Sequence, residues 1–315
     1  MRVGPAEIEA RGRRLWERLA SCDLCPRRCG VDRLHGERGI CGVGATAPVA
    51  AAIAHFGEEP PISGTQGAGT VFFAGCNLRC SYCQNHQISQ LEIPVRDLSP
   101  EALGREMIRL AREGCHNIEL VTPSHLAPQI LIALASAARG GLDVPVVYNT
   151  SGYDAVEILA AYDGVVDVYV PDLKYGAEDS EPVLSSAPDY WDVACRAVRE
   201  MVRQCGGLRV DADGVATSGV IVRHLVLPNG LAGSDRVLDF VARLDPRPAV
   251  SLMSQYYPPS DRVHPLLQRT LRPAEYERVR ARLERLGLEE GWVQELSSEQ
   301  TYRPDFTRAD PFPRR

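Results

Sequence analysis

Cys76-Asn77-Leu78-Arg79-Cys80-Ser81-Tyr82-Cys83 carries three cysteines at C-x3-C-x2-C, with an aromatic residue directly before the last. Three thiolates in so short a stretch can hold three irons of a cubane [4Fe–4S] cluster, whereas a full set of protein ligands needs a fourth. Without a fourth, one iron stays open to a small molecule that binds through nitrogen and oxygen. Directly ahead, Gly69-Thr70-Val71-Phe72-Phe73-Ala74-Gly75 is an apolar, β-rich run ending at glycine. It predicts a buried strand that feeds the cysteine loop. A zinc site, or coincidence in a chain with ten cysteines, is the competing reading, and the strand-then-loop context weighs against it.

From this strand onward, apolar β runs alternate with helical periodicity. Strands are expected at Val71–Ala74, Asn117–Thr122, Val144–Asn149, Val165–Pro171, Val220–Leu227 and Ala249–Ser254. Helices are expected near Pro100–Glu113, Pro128–Arg139, Asp154–Ala161, Pro188–Gln204, Asp235–Leu244 and Pro273–Leu286, with a short strand around Trp292–Leu296. Repeated strand-then-helix units imply parallel strands, since each crossover needs a helix. The expected class is α/β, closing as a partial (β/α)6 barrel, with a doubly wound open sheet as the competitor. Residues 1–69 are read as an N-terminal helix, a cysteine-rich module and a linker. Residues 70–260 are read as the barrel, and 261–315 as a helix and extension.

Hydrophobic content of 44% and charged content of 24% suit a soluble globular chain. The net charge of −6, with no basic run, disfavours a non-specific nucleic-acid binder. Nothing approaches the roughly 18 apolar residues of a membrane span. Met1 to Ala20 carries scattered charges where a signal peptide has an apolar core, so it reads as an amphipathic helix. Cysteines at metal-like spacings without a secretion signal lead us to expect reduced thiols and a cytoplasmic location.

The cysteine loop resembles the C-x3-C-x-aromatic-C signature of the radical SAM superfamily, whose architecture is a partial (β/α)6 barrel. In that superfamily the open iron is chelated by the amino and carboxylate groups of S-adenosylmethionine (SAM). An electron from the cluster then breaks a C–S bond, giving methionine and a 5′-deoxyadenosyl radical. The resemblance therefore implies a [4Fe–4S] cluster on Cys76, Cys80 and Cys83, with SAM as cofactor and the backbone beside Tyr82 meeting adenine. It also implies a one-electron reductant such as flavodoxin or ferredoxin.

Chemistry in barrels gathers at the carboxyl ends of strands, and there the resemblance narrows. Asn149-Thr150-Ser151-Gly152-Tyr153 is similar to a polar segment of glycyl-radical activating enzymes, and implies SAM contacts from Asn149 and Thr150. Pro171-Asp172-Leu173-Lys174-Tyr175 is similar to their Asp-Leu-Lys segment. Asp172 and Lys174 lie two apart on an extended strand, so they share a face. They are expected to act catalytically or on SAM, or to pair with each other. Arg223, inside an apolar β run, needs an anion, either the SAM carboxylate or Asp172. A glycine-rich segment usual in the superfamily is missing after the second strand. Val121-Thr122-Pro123-Ser124-His125 stands in its place, with Thr122 expected to serve instead. His224 alternates to the opposite face and is read as packing.

A second group, Cys22, Cys25, Cys29 and Cys41, is spaced C-x2-C-x3-C-x11-C among turn-forming glycines. Four thiolates in so short a module suggest structural zinc or a fully ligated iron–sulfur cluster. These cysteines precede the catalytic motif, so an electron relay is not implied by their order. Together with Val-Thr-Pro-Ser-His, Asn-Thr-Ser-Gly-Tyr and Pro-Asp-Leu-Lys-Tyr, the module resembles a branch of pyruvate formate-lyase-activating-enzyme-like proteins. The branch's motifs specify no substrate, and likeness to the activases makes hydrogen abstraction from a protein glycine the first expectation. Modification of a small molecule or of another peptide residue is the alternative among enzymes. A non-catalytic iron–sulfur electron carrier is the alternative outside them.

Overall fold

The computed structural model describes residues 1–176, 184–260, 263–300, 303–308 and 310–312, the side chains of 299 and 300 excepted. Helix α1 (Pro5–Glu17) leads through the cysteine module to strand β1 (Ala47–His55) and the short helix α2 (Pro60–Ser63). Then come β2 (Ala68–Phe73), the cysteine loop, α3 (His86–Ser89), β3 (Arg96–Leu98) and α4 (Pro100–Arg112). The repeating part continues as β4 (Ile118–Val121), α5 (Ala127–Arg139), β5 (Val146–Thr150), α6 (Val156–Leu159) and β6 (Val168–Pro171). It is completed by α7 (Tyr190–Cys205), β7 (Arg209–Val210), β8 (Ala216–Leu225), α8 (Ser234–Ala242) and β9 (Ala249–Met253). Helix α9 (Pro273–Arg285) and β10 (Gly291–Val293) follow.

The sheet order is β10-β9-β8-β6-β5-β4-β2-β1-β3, with β7 paired to β8 outside that path. Strands β2, β4, β5, β6, β8, β9 and β10 are parallel neighbours in chain order. A doubly wound sheet reverses its order at a switch point; this one never does. Right-handed crossovers taken always in one direction put their helices on one side, so the sheet curls into a partial barrel, as expected. Strands β4, β5 and β6 are buried along their whole length, which is why they read as continuous apolar runs.

One expected linker proves to be structure. Within residues 43–69, β1 pairs antiparallel with both β2 and β3. Its alanine-rich sequence has little β propensity of its own, and pairing to β2 supplies what propensity does not. Helix α1 is amphipathic as expected: it buries Ile8, Gly12 and Leu15. Gly12 is required there, because a Cβ would sit 2.8 Å from Ile132 of α5. Full burial of each aliphatic side chain contributes about 1.5–3 kcal/mol. Among the described residues no helix is long and apolar enough to cross a membrane.

Candidate active site at the carboxyl ends of the strands

The parallel register lines up the strand ends. Val121 pairs with Asn149, Asn149 with Val170, and Thr150 with Pro171, while Asp172 bridges to Arg223. A cavity of about 320 Å³ opens over these ends. Cys76, Cys80, Tyr82, Cys83, Thr122, Asn149, Thr150, Asp172, Lys174 and Arg223 all line it. Every residue expected at the catalytic site from sequence is thus brought to one place.

The cysteine loop leaves β2 through Gly75, whose φ of +75° is a left-handed conformation. A Cβ there would fall 2.5 Å from the Cys41 carbonyl oxygen. Each of the three sulfurs receives a hydrogen-bond donor. Leu78 N–H donates to Cys76 Sγ at 3.4 Å, the Tyr175 hydroxyl to Cys80 Sγ at 3.4 Å, and the Ser89 hydroxyl to Cys83 Sγ at 3.3 Å. Donors on sulfur are what iron–sulfur ligation uses to hold thiolates and set potential. Burial pushes the free Cys80 thiol up to about 12 and Cys83 in the same direction. The anionic forms therefore call for a cation. All three cysteines are free of disulfides, so the donor set fits a three-cysteine cluster.

Tyr82 is buried and meets Tyr175 and Tyr256 edge to face, with centroids 6.0 and 6.3 Å away. Thr122 has φ +60°. A β-branched residue seldom occupies that region, and such strain concentrates at functional sites. Thr150 is held by its own network: its hydroxyl donates to Asp154 at 2.6 Å and lies 3.1 Å from Ser124. Asn149 donates to Glu119 of β4 at 2.8 Å and lines the cavity. Burial pushes the Glu119 carboxyl up to about 8, and Glu58 adds to this, against Arg223 and hydrogen bonds from Asn149 and Thr70.

Lys174 and Asp172 pair at 2.5 Å. Burial alone would lower the lysine, but Asp172 and Cys80 carry it above the usual lysine range. The loops bearing these residues are pinned by Tyr190 of α7. Its oxygen lies 2.8 Å from the Ser151 carbonyl and 3.0 Å from that of Asp172, and it accepts from Lys174 N–H at 2.9 Å.

Arg223 has partners that sequence reading missed. Its guanidinium grips Glu59 at 2.8 and 2.5 Å and also pairs with Glu58, so Asp172 is left to Lys174. Bidentate carboxylate pairing satisfies a buried guanidinium best, and both glutamates come from the supposed linker. Burial would raise the Glu59 carboxyl, but Arg223 holds it below the usual range. Also unforeseen is an amide chain across the open side of the barrel. Gln84 donates to the Gln255 carbonyl at 2.7 Å, and Gln294 donates to the Gln255 side chain at 2.8 Å. Its members are polar residues in loops, with no motif to mark them. His224 is packing, as expected: it is buried between the Leu173 carbonyl at 2.6 Å and Ser234 at 2.8 Å.

The second cysteine group gathers beside the first. Cys22, Cys25, Cys29 and Cys41 line a void of about 10 Å³, joined by Arg27, Arg33, Asn77 and His125. Gly39 makes room for one of them, since a Cβ would lie 2.7 Å from Cys29 Sγ. Among the described residues, no three His, Cys, Asp or Glu side chains are gathered as a ready site for a single metal ion.

A family model described as the radical SAM superfamily matches residues 70–208. The chain is 30% identical over 277 residues to the uncharacterised protein MJ0674 of Methanocaldococcus jannaschii, covering 85% of this chain and 76% of that one. A second uncharacterised protein of that organism, MJ0808, is 27% identical, covering 66% of this chain and 61% of its own length. Among solved structures, a radical SAM methyltransferase from Sphaerobacter thermophilus matches with a TM-score of 0.49 and 17% identity, covering 77% of this chain and 69% of that one.

Proposed function

This chain belongs to the radical SAM superfamily, and we propose that Cys76, Cys80 and Cys83 hold its catalytic [4Fe–4S] cluster with SAM in the adjoining cavity. The observation that carries this reading is the convergence of three donor-capped sulfurs with the polar strand ends on one cavity. Held by Cys76, Cys80 and Cys83, the cluster would supply the electron for reductive cleavage of SAM, and so the radical chemistry that removes hydrogen from a substrate. Asn149 and Asp172 would supply polar contacts to SAM, as would Thr122, Thr150 and the Tyr82 backbone, all on the same cavity. Lys174 neutralises Asp172 and brings positive charge toward the cysteine loop. Arg223 acts one step removed, by fixing Glu58 and Glu59 in the cavity wall. The aromatic rings of Phe72 and Phe312, stacked at 5.3 Å on that wall, help exclude water from a reactive radical.

The activase-like motifs favour a glycine in a glycyl-radical enzyme as hydrogen donor, with flavodoxin or ferredoxin as reductant. The four-cysteine module holds a second metal centre, zinc or iron–sulfur. Two measurements test the reading. Addition of SAM changes the EPR spectrum of the reduced cluster, and Asn149→Ala with Asp172→Asn weakens that response. With a glycine-deuterated substrate enzyme, deuterium passes into 5′-deoxyadenosine; unlabelled product would turn the search to small molecules.

A further inference from the structure

Arg33 is 1% exposed. Its guanidinium donates to the Gly44 and His125 carbonyls at 2.6 and 2.8 Å and approaches Cys22 Sγ at 3.7 Å. No carboxylate among the described residues pairs with it, and a buried cation without an anion is costly. Two further groups on the same void are unsatisfied. Asn77 Oδ1 and His125 Nδ1 are buried without a hydrogen-bond partner. His125 Nε2 lies 3.1 Å from the Ala74 carbonyl, which can only accept, so the proton sits there and Nδ1 presents a bare lone pair. Bare acceptors disfavour an anion and suit metal ions, while the buried guanidinium offsets the negative charge of four thiolates; together they describe a site built for a metal–thiolate group.

That site shares a wall with the catalytic loop. Asn77, which follows Cys76 directly, lines the void. Gly75, which precedes Cys76, would put a Cβ 2.5 Å from the Cys41 carbonyl. Arg27, between Cys25 and Cys29, donates to the carbonyls of Asn77 and Leu78 at 2.7 and 3.4 Å. Cys29 alone of the four is only half-buried, which gives the centre one edge toward an outside donor. Zinc has no oxidation state for a buried arginine to tune, whereas cluster potentials respond to charge and N–H donors at sulfur.

Resting on the catalytic assignment above, we infer that Cys22, Cys25, Cys29 and Cys41 hold a redox-active iron–sulfur cluster that relays electrons past Asn77 to the catalytic cluster. One electron from a low-potential flavodoxin or ferredoxin enters the module, leaving that carrier oxidised by one electron. The same electron then moves to the catalytic cluster and returns the module to its oxidised state. No proton moves and no bond changes in either transfer.

A triple variant, Cys76→Ala, Cys80→Ala and Cys83→Ala, isolates the module. After anaerobic reconstitution it is expected to bind iron and sulfide and to give an EPR signal on reduction that SAM leaves unchanged. Zinc without such a signal would overturn the inference. In that background Arg33→Met is expected to shift the midpoint potential downward, because the lost cation had favoured the more negative reduced state; an unmoved potential contradicts the tuning role. In the wild-type protein mixed with reduced flavodoxin, freeze-quench EPR is expected to show the SAM-insensitive signal before the SAM-sensitive one. The reverse order would overturn the relay while leaving the catalytic assignment intact, since the latter is read from the SAM-sensitive signal itself.

Discussion

Arg27 Nε donates to the main-chain carbonyl of Asn77 across 2.7 Å, tying the four-cysteine module to the cluster loop. The same side chain reaches Ser185 and Ser186 carbonyls at 3.1 and 2.6 Å and lies 5.3 Å from the Tyr153 ring centroid. It therefore gathers three separate loops. Replacing Arg27 with alanine leaves those carbonyls without their charged donor, and each such bond is worth about 1.5–3 kcal/mol. Solvent access to part of the site moderates the loss, so we expect destabilisation of about 2 kcal/mol. Iron retained after gel filtration should fall as well. Urea unfolding and iron analysis check both, and unchanged iron retention would show that the clamp is dispensable.

Gly152 holds the Asn149–Thr150 turn against the Asp172 loop. Its φ is +77°, and a Cβ would lie 2.4 Å from the Asp172 carbonyl. Gly152→Ala is thus strained in conformation and in space, and should cost more than about 1 kcal/mol. Because the two loops carry Asn149 and Asp172, SAM affinity should fall with it. Calorimetric titration of the reconstituted protein measures the second effect. Retained affinity in a destabilised variant would separate the turn from the cofactor site.

Glu119 makes stability depend on pH. Its folded pKa, raised to about 8 by burial, stands above the ordinary value of 4.5. Between those values the folded chain keeps a proton that the unfolded chain has released. Stability therefore falls as pH rises through that window. Glu119→Gln stays neutral and can still accept from Asn149, so this part of the dependence should vanish. Melting curves across the window should show the variant gaining on the wild type as pH rises. A constant difference would mean that Glu119 is ionised in the fold.

Arg223 and Glu59 form a coupled pair, both little exposed at 12% and 7% of their side chains. Removing Arg223 alone leaves buried carboxylates uncompensated, a loss of about 3–5 kcal/mol. Arg223→Met combined with Glu59→Gln should recover part of that loss, and thermal unfolding of the singles and the double gives the coupling. Additive losses would show that the pair is not the source of the cost.

The six parallel strands were legible because each is a short, largely apolar run between turn residues, and burial of β4, β5 and β6 along their whole length leaves no alternation there to obscure it. The catalytic cysteines were legible because local spacing alone defines their chemistry. Strand β1 was not, since Ala50, Ala51 and Ala52 carry no β signal until β2 lies alongside. Nor were the partners of Arg223 legible, because Glu58 and Glu59 meet it only when the barrel closes. The chain order of the two cysteine groups likewise hides their contact, which Gly75 and Arg27 create in space.

The most direct measurement is anaerobic and simple in form. The protein is reconstituted with iron and sulfide, reduced with SAM present, and assayed for 5′-deoxyadenosine beside a Cys80→Ala control. Product from the wild type that disappears in the control is the expected result. No product from a chain with an intact reduced cluster, supplied with candidate substrates, would contradict radical SAM catalysis and favour an electron carrier.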